Sequence, residues 1–239
     1  MSAYWQYYIM GIILLPGLIF AIIAQMKVTN AFSTYKKELT RSGISGYQFA
    51  NNIIAKKNLN IQINRVDGEL TDFYNSKDKS LNLSDASLNS SSVAGVAVAA
   101  HELGHALQDA EGYKMLKVRH ILIKTSNICS VLLWPLVIIG LICNFVYVGG
   151  VVGYVFLWCG VAFFSLSIIV ALVTLPVEFD ASKRALALLK EENTFDDYEL
   201  DGAKKVLSAA ALTYVASLVV AILNLLRFLA VIFANKKRD

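Results

Sequence analysis

Four long apolar runs divide the chain, and more polar stretches separate most of them. The runs cover approximately residues 8–24, 128–148, 151–173 and 206–234. Each is close to the roughly 20 residues that a helix needs to cross the hydrocarbon core of a bilayer. Only Gly149 and Gly150 separate the second run from the third, so we expect a tight transmembrane hairpin there. The pattern predicts a mainly α-helical, multipass membrane protein with about four transmembrane helices.

Shorter periods between the first two runs predict a small α+β module. Residues 45–58 place apolar side chains at helical spacing, whereas residues 61–64 alternate between apolar and polar side chains, as a half-buried strand does. Residues 70–74 and 80–83 flank a polar turn and predict a β-hairpin. We place the second strand at the edge of the sheet, where Asn82 could hold the backbone of an extended substrate. A scaffold sheet without a substrate role is an equally good interpretation.

Residues 101–105 read HELGH, an HExxH motif inside a helix predicted to follow the serines at 90–92 and to run to about residue 110. Residues four apart share a helix face, so His101 and His105 can bind one metal ion. Glu102 beside them can take a proton from a water molecule that the metal activates. The alternative is a pair of surface histidines beside an ordinary glutamate. However, the chain has only three histidines, and two of them fall in this motif.

A catalytic zinc site needs three protein ligands and one open position. The sequence offers four candidates for the third ligand: Glu111, His120, Glu178 and Asp180. Glu111 has the spacing of the third metzincin ligand, but Gln108 stands where those enzymes have a turning glycine. His120 lies among basic residues at the predicted membrane boundary, where a solvated histidine is the simpler interpretation.

Glu178 is the preferred third ligand. It lies just beyond the third apolar run, where a carboxylate is costly unless it is paired or metal-bound. The expected set is therefore two histidines and a glutamate, with Asp180 orienting a ligand histidine through its other ring nitrogen. The alternative places both carboxylates at the start of a helix after Pro176, where they would interact with the helix dipole.

The positions of lysine and arginine predict the orientation in the membrane. Basic residues near the ends of the runs place residues 25–127 and 176–205 in the cytoplasm. The tail contains Lys236, Lys237 and Arg238, which contradicts this orientation if the fourth run crosses the bilayer completely. The net charge of +4 fits anchoring at the inner face, and no nucleic-acid signature is present. The three cysteines lie in apolar segments and are interpreted as packing residues.

These boundaries divide the chain into five segments. They are an N-terminal membrane anchor (1–26), a cytosolic peptidase module with the HExxH helix (27–127), a transmembrane hairpin (128–175), a cytosolic segment with the third ligand (176–205) and a fourth membrane helix with a basic tail (206–239). The two segments predicted to be cytosolic carry all three expected ligands.

Several motifs together resemble the bacterial YugP-type membrane zinc metallopeptidases, a group of neutral zinc metallopeptidases. The resemblance rests on residues 101–108, 176–182 and 212–216, and it extends through 68–72 and 81–84, so it covers most of the chain. This combination is far more specific than HExxH alone. More distantly, the chain is similar to the HtpX heat-shock proteases and to the integral-membrane prenyl-protein proteases.

The resemblance implies a zincin-like, multipass peptidase of the bacterial cytoplasmic membrane, with one Zn²⁺ per chain and a site that faces the cytoplasm. It assigns His101, His105 and Glu178 as ligands and Glu102 as the general base. The HtpX-like families place an aspartate four residues after the ligand glutamate, where this chain has Ser182. Ser182 is therefore a candidate for contact with a ligand.

Two further side chains are candidates around the site. Tyr214, in a stretch of small residues, could donate a hydrogen bond to a developing oxyanion, or it could be an interfacial anchor. Arg184 could pair with Asp180 or orient a substrate carbonyl. Members of the closer family tend to have a histidine where this chain has Phe73, so any role of that histidine is absent here.

The expected function is zinc-dependent hydrolysis of peptide bonds in membrane-associated or misfolded proteins, as in protein quality control. The expected partners are polypeptide substrates and the lipid bilayer, without nucleic acid, and the sequence leaves open a homo-oligomer or a regulatory membrane partner. The alternative is a catalytically silent, metal-binding membrane scaffold or partner subunit, which would not need Glu102. A prenyl-protein processing protease ranks lower, because the chain has only four candidate spans.

Overall fold

Long helices form most of the chain, and one small sheet lies between the second and third helices in sequence. The computed structural model describes residues 11–145 and 150–236, except for the side chains at 130, 132–134, 136–145, 150–154, 156–157 and 231–236. In chain order the elements are α1 (Leu15–Tyr35), α2 (Gly46–Lys56), β1 (Gln62–Val66), β2 (Phe73–Asn75), β3 (Ser80–Ser84), α3 (Asp85–Leu88), α4 (Val93–Ala110), α5 (Lys114–Phe145), α6 (Gly150–Glu191) and α7 (Asp197–Lys236). The predicted mainly α-helical architecture with a small α+β part is confirmed.

The chain groups into two compact units. The first comprises the described parts of Met1–Ile23, Lys117–Leu175 and Tyr214–Asp239, which include most of the apolar runs. The second comprises Ala24–Leu116 and Pro176–Thr213, and it contains the sheet and the HExxH helix. All three expected zinc ligands therefore belong to the second unit.

Three helices within the described residues are long and apolar enough to cross a membrane. They are Leu15–Tyr35, Trp158–Glu191 and Asp197–Ala230. The prediction of about four spans is therefore not confirmed. The predicted run 128–148 falls largely on α5, but residues 146–148 and most side chains of that run lie outside the described part of the chain. On α1, exposed apolar side chains such as Ile19 and Ile22 fit contact with lipid.

The sheet has the strand order β1-β3-β2, with β3 parallel to β1 and antiparallel to β2. The predicted hairpin is confirmed, although its first strand covers only Phe73–Asn75. The prediction that β3 is an edge strand is wrong, because β1 pairs with its other side. Asn82 on β3 is 8% exposed, and its side-chain amide donates to Ser80 Oγ at 3.0 Å. A strand that is paired on both sides cannot add a substrate strand, so Asn82 is not placed to hold one.

Local caps start two helices of the second unit near the predicted positions. Ser45 and Gln48 form a reciprocal capping box at the start of α2. Ser92 Oγ accepts a hydrogen bond of 3.1 Å from Gly95 N and caps α4. Small apolar residues make α4 buried along most of its length. This helix forms the centre of the core of its unit, and it carries the HExxH motif.

Candidate metal centre

The two motif histidines project from α4 one turn apart. Their ring centroids lie 4.9 Å apart, and the ring planes are inclined by 82°. Neighbouring residues on the same helix, including Ala100 and Leu103, are fully buried. Because protein cores pack as densely as crystals, this burial fixes the direction in which His101 and His105 leave the helix.

The third expected ligand reaches these histidines from α6. Gly104, inside the motif, allows the two helices to approach, because a Cβ at this position would lie 2.4 Å from the carbonyl oxygen of Ala181. Glu178 is buried, and its Oε2 lies 3.3 Å from His101 Nε2 and 3.5 Å from His105 Nε2. The structure thus brings together the three side chains that the sequence predicts as ligands.

The donor set fits a zinc ion. A tetrahedral site with bonds of about 2.0 Å separates neighbouring ligand atoms by about 3.3 Å, close to both distances from the Glu178 carboxylate. One ligand atom from each of the three residues lies within 4.8 Å of the others. Within the described parts of the chain, the rival candidates Glu111, His120 and Asp180 do not belong to any such group.

Pro176 lies inside α6 rather than at the start of a helix. This helix begins at Gly150, so neither Glu178 nor Asp180 lies in its first turn. The favourable effect of a helix dipole on a carboxylate is confined to the first turn. The alternative interpretation of these two carboxylates as N-terminal helix residues is therefore wrong.

Each histidine has a polar side chain at the ring nitrogen that faces away from Glu178. Ser182 Oγ lies 3.2 Å from His101 Nδ1, and Gln108 Oε1 lies 3.0 Å from His105 Nδ1. Asp180 was predicted to orient a histidine directly, but it accepts a hydrogen bond of 2.9 Å from Gln108 Nε2 instead. Both ring nitrogens that face Glu178 are therefore Nε2, and both Nδ1 atoms have partners.

Arg184 joins the carboxylates next to the ligands. Its Nε donates to Asp180 Oδ2 at 2.6 Å, which confirms the predicted pair, and its Nη1 donates to Glu111 Oε2 at 2.6 Å. Glu111 is thus an ion-pair partner just beyond the end of α4. No described contact supports the alternative in which Arg184 orients a substrate carbonyl.

Glu102 lies beside the ligands and is 8% exposed. Its Oε2 accepts a hydrogen bond of 2.9 Å from the backbone N–H of Tyr74 on β2. Burial raises the pKa of Glu102 above its usual value and is the largest cause of the shift. The two motif histidines lower this pKa, whereas nearby carboxylates raise it further. A buried carboxyl with a raised pKa beside a candidate zinc site is suited to exchange protons.

A second contact holds β2 against α4. Tyr74 Oη donates to Asp109 Oδ2 at 2.8 Å, and Lys79 Nζ lies 2.5 Å from the same oxygen. Sequence reasoning missed Tyr74 and Asp109, because nothing in the local pattern links a short strand to a distant helix. It also missed the contact of Gln108, although a residue three positions after His105 shares its helix face.

Tyr214 lies in α7 and belongs to the first unit, whereas the ligands belong to the second. Its side chain is partly buried. The assignment of Tyr214 as an oxyanion donor or an interfacial anchor therefore stays a prediction.

Comparison with known proteins identifies a family. Residues 10–233 match the model of the family described as putative neutral zinc metallopeptidase. The chain is also 37% identical over 218 residues to a protein of Bacillus subtilis (strain 168) named putative membrane protease YugP, covering 90% of this chain and 92% of that protein. No solved structure matches the chain.

Proposed function

This chain belongs to the neutral zinc metallopeptidase family, and we propose that it is a membrane-embedded, zinc-dependent endopeptidase. The main support for the proposal is the cluster of His101, His105 and Glu178. Glu102 lies beside this cluster. Its substrates are membrane-associated or misfolded polypeptides, which it cleaves at the cytosolic face of the bacterial cell membrane.

The chemistry requires a proton acceptor and a proton donor at one position. When bound, zinc supplies a Lewis acid that polarises the scissile carbonyl and lowers the pKa of water. Glu102 takes the proton from the attacking water and returns it to the leaving amine. The backbone N–H of Tyr74 holds one carboxylate oxygen of Glu102, which fixes the orientation of the carboxyl group. The raised pKa of Glu102 makes it a stronger base and so favours the uptake of this proton.

A polypeptide would enter as an extended strand along β2. The central position of β3 leaves β1 and β2 as the edges of the sheet, and only an edge strand can add a further strand. β2 is the edge whose Tyr74 N–H lies against Glu102. A substrate paired with β2 would therefore run past the proton acceptor. Such backbone pairing depends little on the side chains of the substrate, which suits a protease that cleaves misfolded proteins of varied sequence.

The membrane location rests on the three apolar helices, and the cytosolic orientation rests on the distribution of basic residues. Glu178 lies in the same helix, α6, as one of the three candidate spans, which favours substrates that are themselves embedded in, or bound to, the bilayer. The alternative function, a metal-binding scaffold without turnover, would use the same ligands but would not depend on Glu102.

Replacement of Glu102 by glutamine separates the two functions. In purified, detergent-solubilised protein, E102Q should keep its zinc, because the ligands are unchanged. It should lose roughly 10²- to 10⁴-fold in the rate of cleavage of an unfolded protein, the usual contribution of a general base. The control is E191Q, which alters an exposed glutamate at the end of α6 and should keep full activity. Equal cleavage by E102Q and E191Q would contradict the proposed mechanism and favour the scaffold.

A further inference from the structure

Gln108 is fully buried and lies between one ligand histidine and α6. Its Oε1 lies 3.0 Å from His105 Nδ1, and its Nε2 lies 2.8 Å from Val177 O and 2.9 Å from Asp180 Oδ2. Burial of an amide is costly unless its donors and acceptor find partners. Together, these three contacts connect the expected ligand His105 to α6, the helix that carries Glu178.

The two partners of Nε2 determine which way the Gln108 amide points. A backbone carbonyl oxygen accepts hydrogen bonds only, and so does the Asp180 carboxylate, which is paired with Arg184. The group facing Val177 and Asp180 must therefore be the NH₂ group. The reversed amide would place its carbonyl oxygen against two other acceptors. Oε1 is consequently the atom that faces His105.

The contact with Gln108 favours one tautomer of His105, and at 3.0 Å it is shorter than the 3.5 Å that separates His105 Nε2 from Glu178 Oε2. Oε1 of Gln108 is an acceptor, so the nitrogen that contacts it, Nδ1, must carry the proton. The other nitrogen, Nε2, then has its lone pair in the plane of the ring, directed to the side of Glu178. Only a nitrogen with a lone pair can bind zinc.

We propose that Gln108 is a positioning residue that locks His105 in the Nδ1–H tautomer before metal binds. Val177 O and the Asp180–Arg184 pair hold the Gln108 amide, and the amide holds the ring. A histidine that is already in the competent tautomer binds metal more tightly, since the apparent dissociation constant rises as the competent fraction falls. The inference rests on the proposed metal site, but it does not depend on turnover.

His101 provides an internal comparison. Its Nδ1 partner is the hydroxyl of Ser182, which can either donate or accept, so it does not select a tautomer. Its Nε2 lies 3.3 Å from the carboxylate of Glu178, which favours a proton on Nε2 in the metal-free protein. The two ligand histidines are therefore expected to have different tautomers before zinc arrives.

The test is nitrogen NMR of the full-length, metal-stripped protein labelled with ¹⁵N-histidine. The chain has three histidines, and the variants H101N and H120N identify the signals. The measurement is made at a pH where the imidazoles are neutral. His105 should show a protonated Nδ1 and an unprotonated Nε2 in the wild type. An Nε2–H tautomer or a mixture at His105 in the wild type would overturn the proposal without any variant.

Variants of Gln108 separate positioning of the ring from ordinary packing. Q108M removes the acceptor and should give mixed tautomers and roughly 10- to 100-fold weaker zinc binding in competition with a chelator. Q108E keeps an acceptor at His105 but loses the donors to α6, and it should retain the Nδ1–H tautomer. The control Q62M changes an exposed glutamine on β1 and should match the wild type. An Nδ1–H tautomer in Q108M would overturn the proposal. If His105 has the Nδ1–H tautomer but the protein has no peptidase activity, only the proposed function is contradicted.

Discussion

Tyr74 contacts the HExxH helix through two different groups. Its backbone N–H donates to Glu102, and its hydroxyl donates to Asp109. Burial, together with the hydrogen bond to Asp109, raises the pKa of Tyr74, so the hydroxyl remains a donor at physiological pH. One residue of a three-residue strand thus orients Glu102, the proposed general base, and fastens its strand to the helix.

Replacement of Tyr74 by phenylalanine removes only the second of these contacts. A hydrogen bond to a charged group contributes about 1.5–3 kcal/mol, and partial exposure reduces this, so we expect Y74F to lose about 1–2 kcal/mol of stability. Its zinc content should not change, because the ligands and the Tyr74 N–H remain. The measurement is thermal unfolding in detergent, with Y47F, at an exposed tyrosine of α2, as the control. Identical melting temperatures for the two variants would contradict this role of the hydroxyl.

Among the residues of the candidate site, the sequence predicts those that stand out by their spacing along a helix or by the energetic cost of their location. The spacing of His101 and His105 follows from the helix period, and Glu178 stands out because a carboxylate is costly near a membrane boundary. Gln108 was noticed only as the residue in place of a turning glycine. Its contacts with His105 and Asp180 depend on the docking of α6, which no local pattern contains.

The contact between α4 and α6 depends on the absence of a side chain at Gly104. The carbonyl oxygen of Ala181 occupies the space that a Cβ would need, at 2.4 Å. The atom in the way belongs to the backbone of a helix, so it cannot rotate aside as a flexible side chain would. The same contact brings Glu178 to the histidines, so the helix packing and the ligand geometry are coupled.

G104A tests this coupling. Alanine would add about 1 kcal/mol of helix propensity, but overpacking against a backbone typically costs 1–3 kcal/mol, so the net effect should be destabilising. The displacement of Glu178 should weaken zinc binding at least about tenfold. G11A, where nothing lies within 4 Å of the added Cβ, is the control and should bind zinc normally. Wild-type zinc affinity in G104A would show that the helices can separate without loss of the site.

At the scale of elements, local periodicity predicted the helices and the hairpin but not the order of the strands. A hairpin pattern shows that β2 and β3 pair, yet the parallel pairing of β1 with β3 arises from a longer connection that leaves no periodic signal. The alternative interpretation that a helix starts after Pro176 is wrong, because α6 continues through this residue. Helices that border membranes tolerate proline because neighbouring groups satisfy the freed backbone carbonyl.

For the whole molecule, the candidate metal centre belongs to the second unit, whereas four long helices, α1, α5, α6 and α7, run from one unit into the other. The ligand-bearing part of α6 lies in the second unit, and most of the apolar part of the same helix lies in the first. Glu178, the proposed third ligand, is therefore continuous in sequence with a candidate membrane span. This arrangement supports a peptidase whose substrates come from the bilayer or its surface.

Zinc analysis by mass spectrometry of the purified, detergent-solubilised protein is the most direct test of the metal centre. We expect about one zinc per wild-type chain and its loss in E178A. The matched control is E111A, which removes a carboxylate that pairs with Arg184 and lies outside the donor cluster, and it should retain zinc. Full zinc in E178A, or none in wild-type protein supplied with ample metal, would contradict the assignment of this centre.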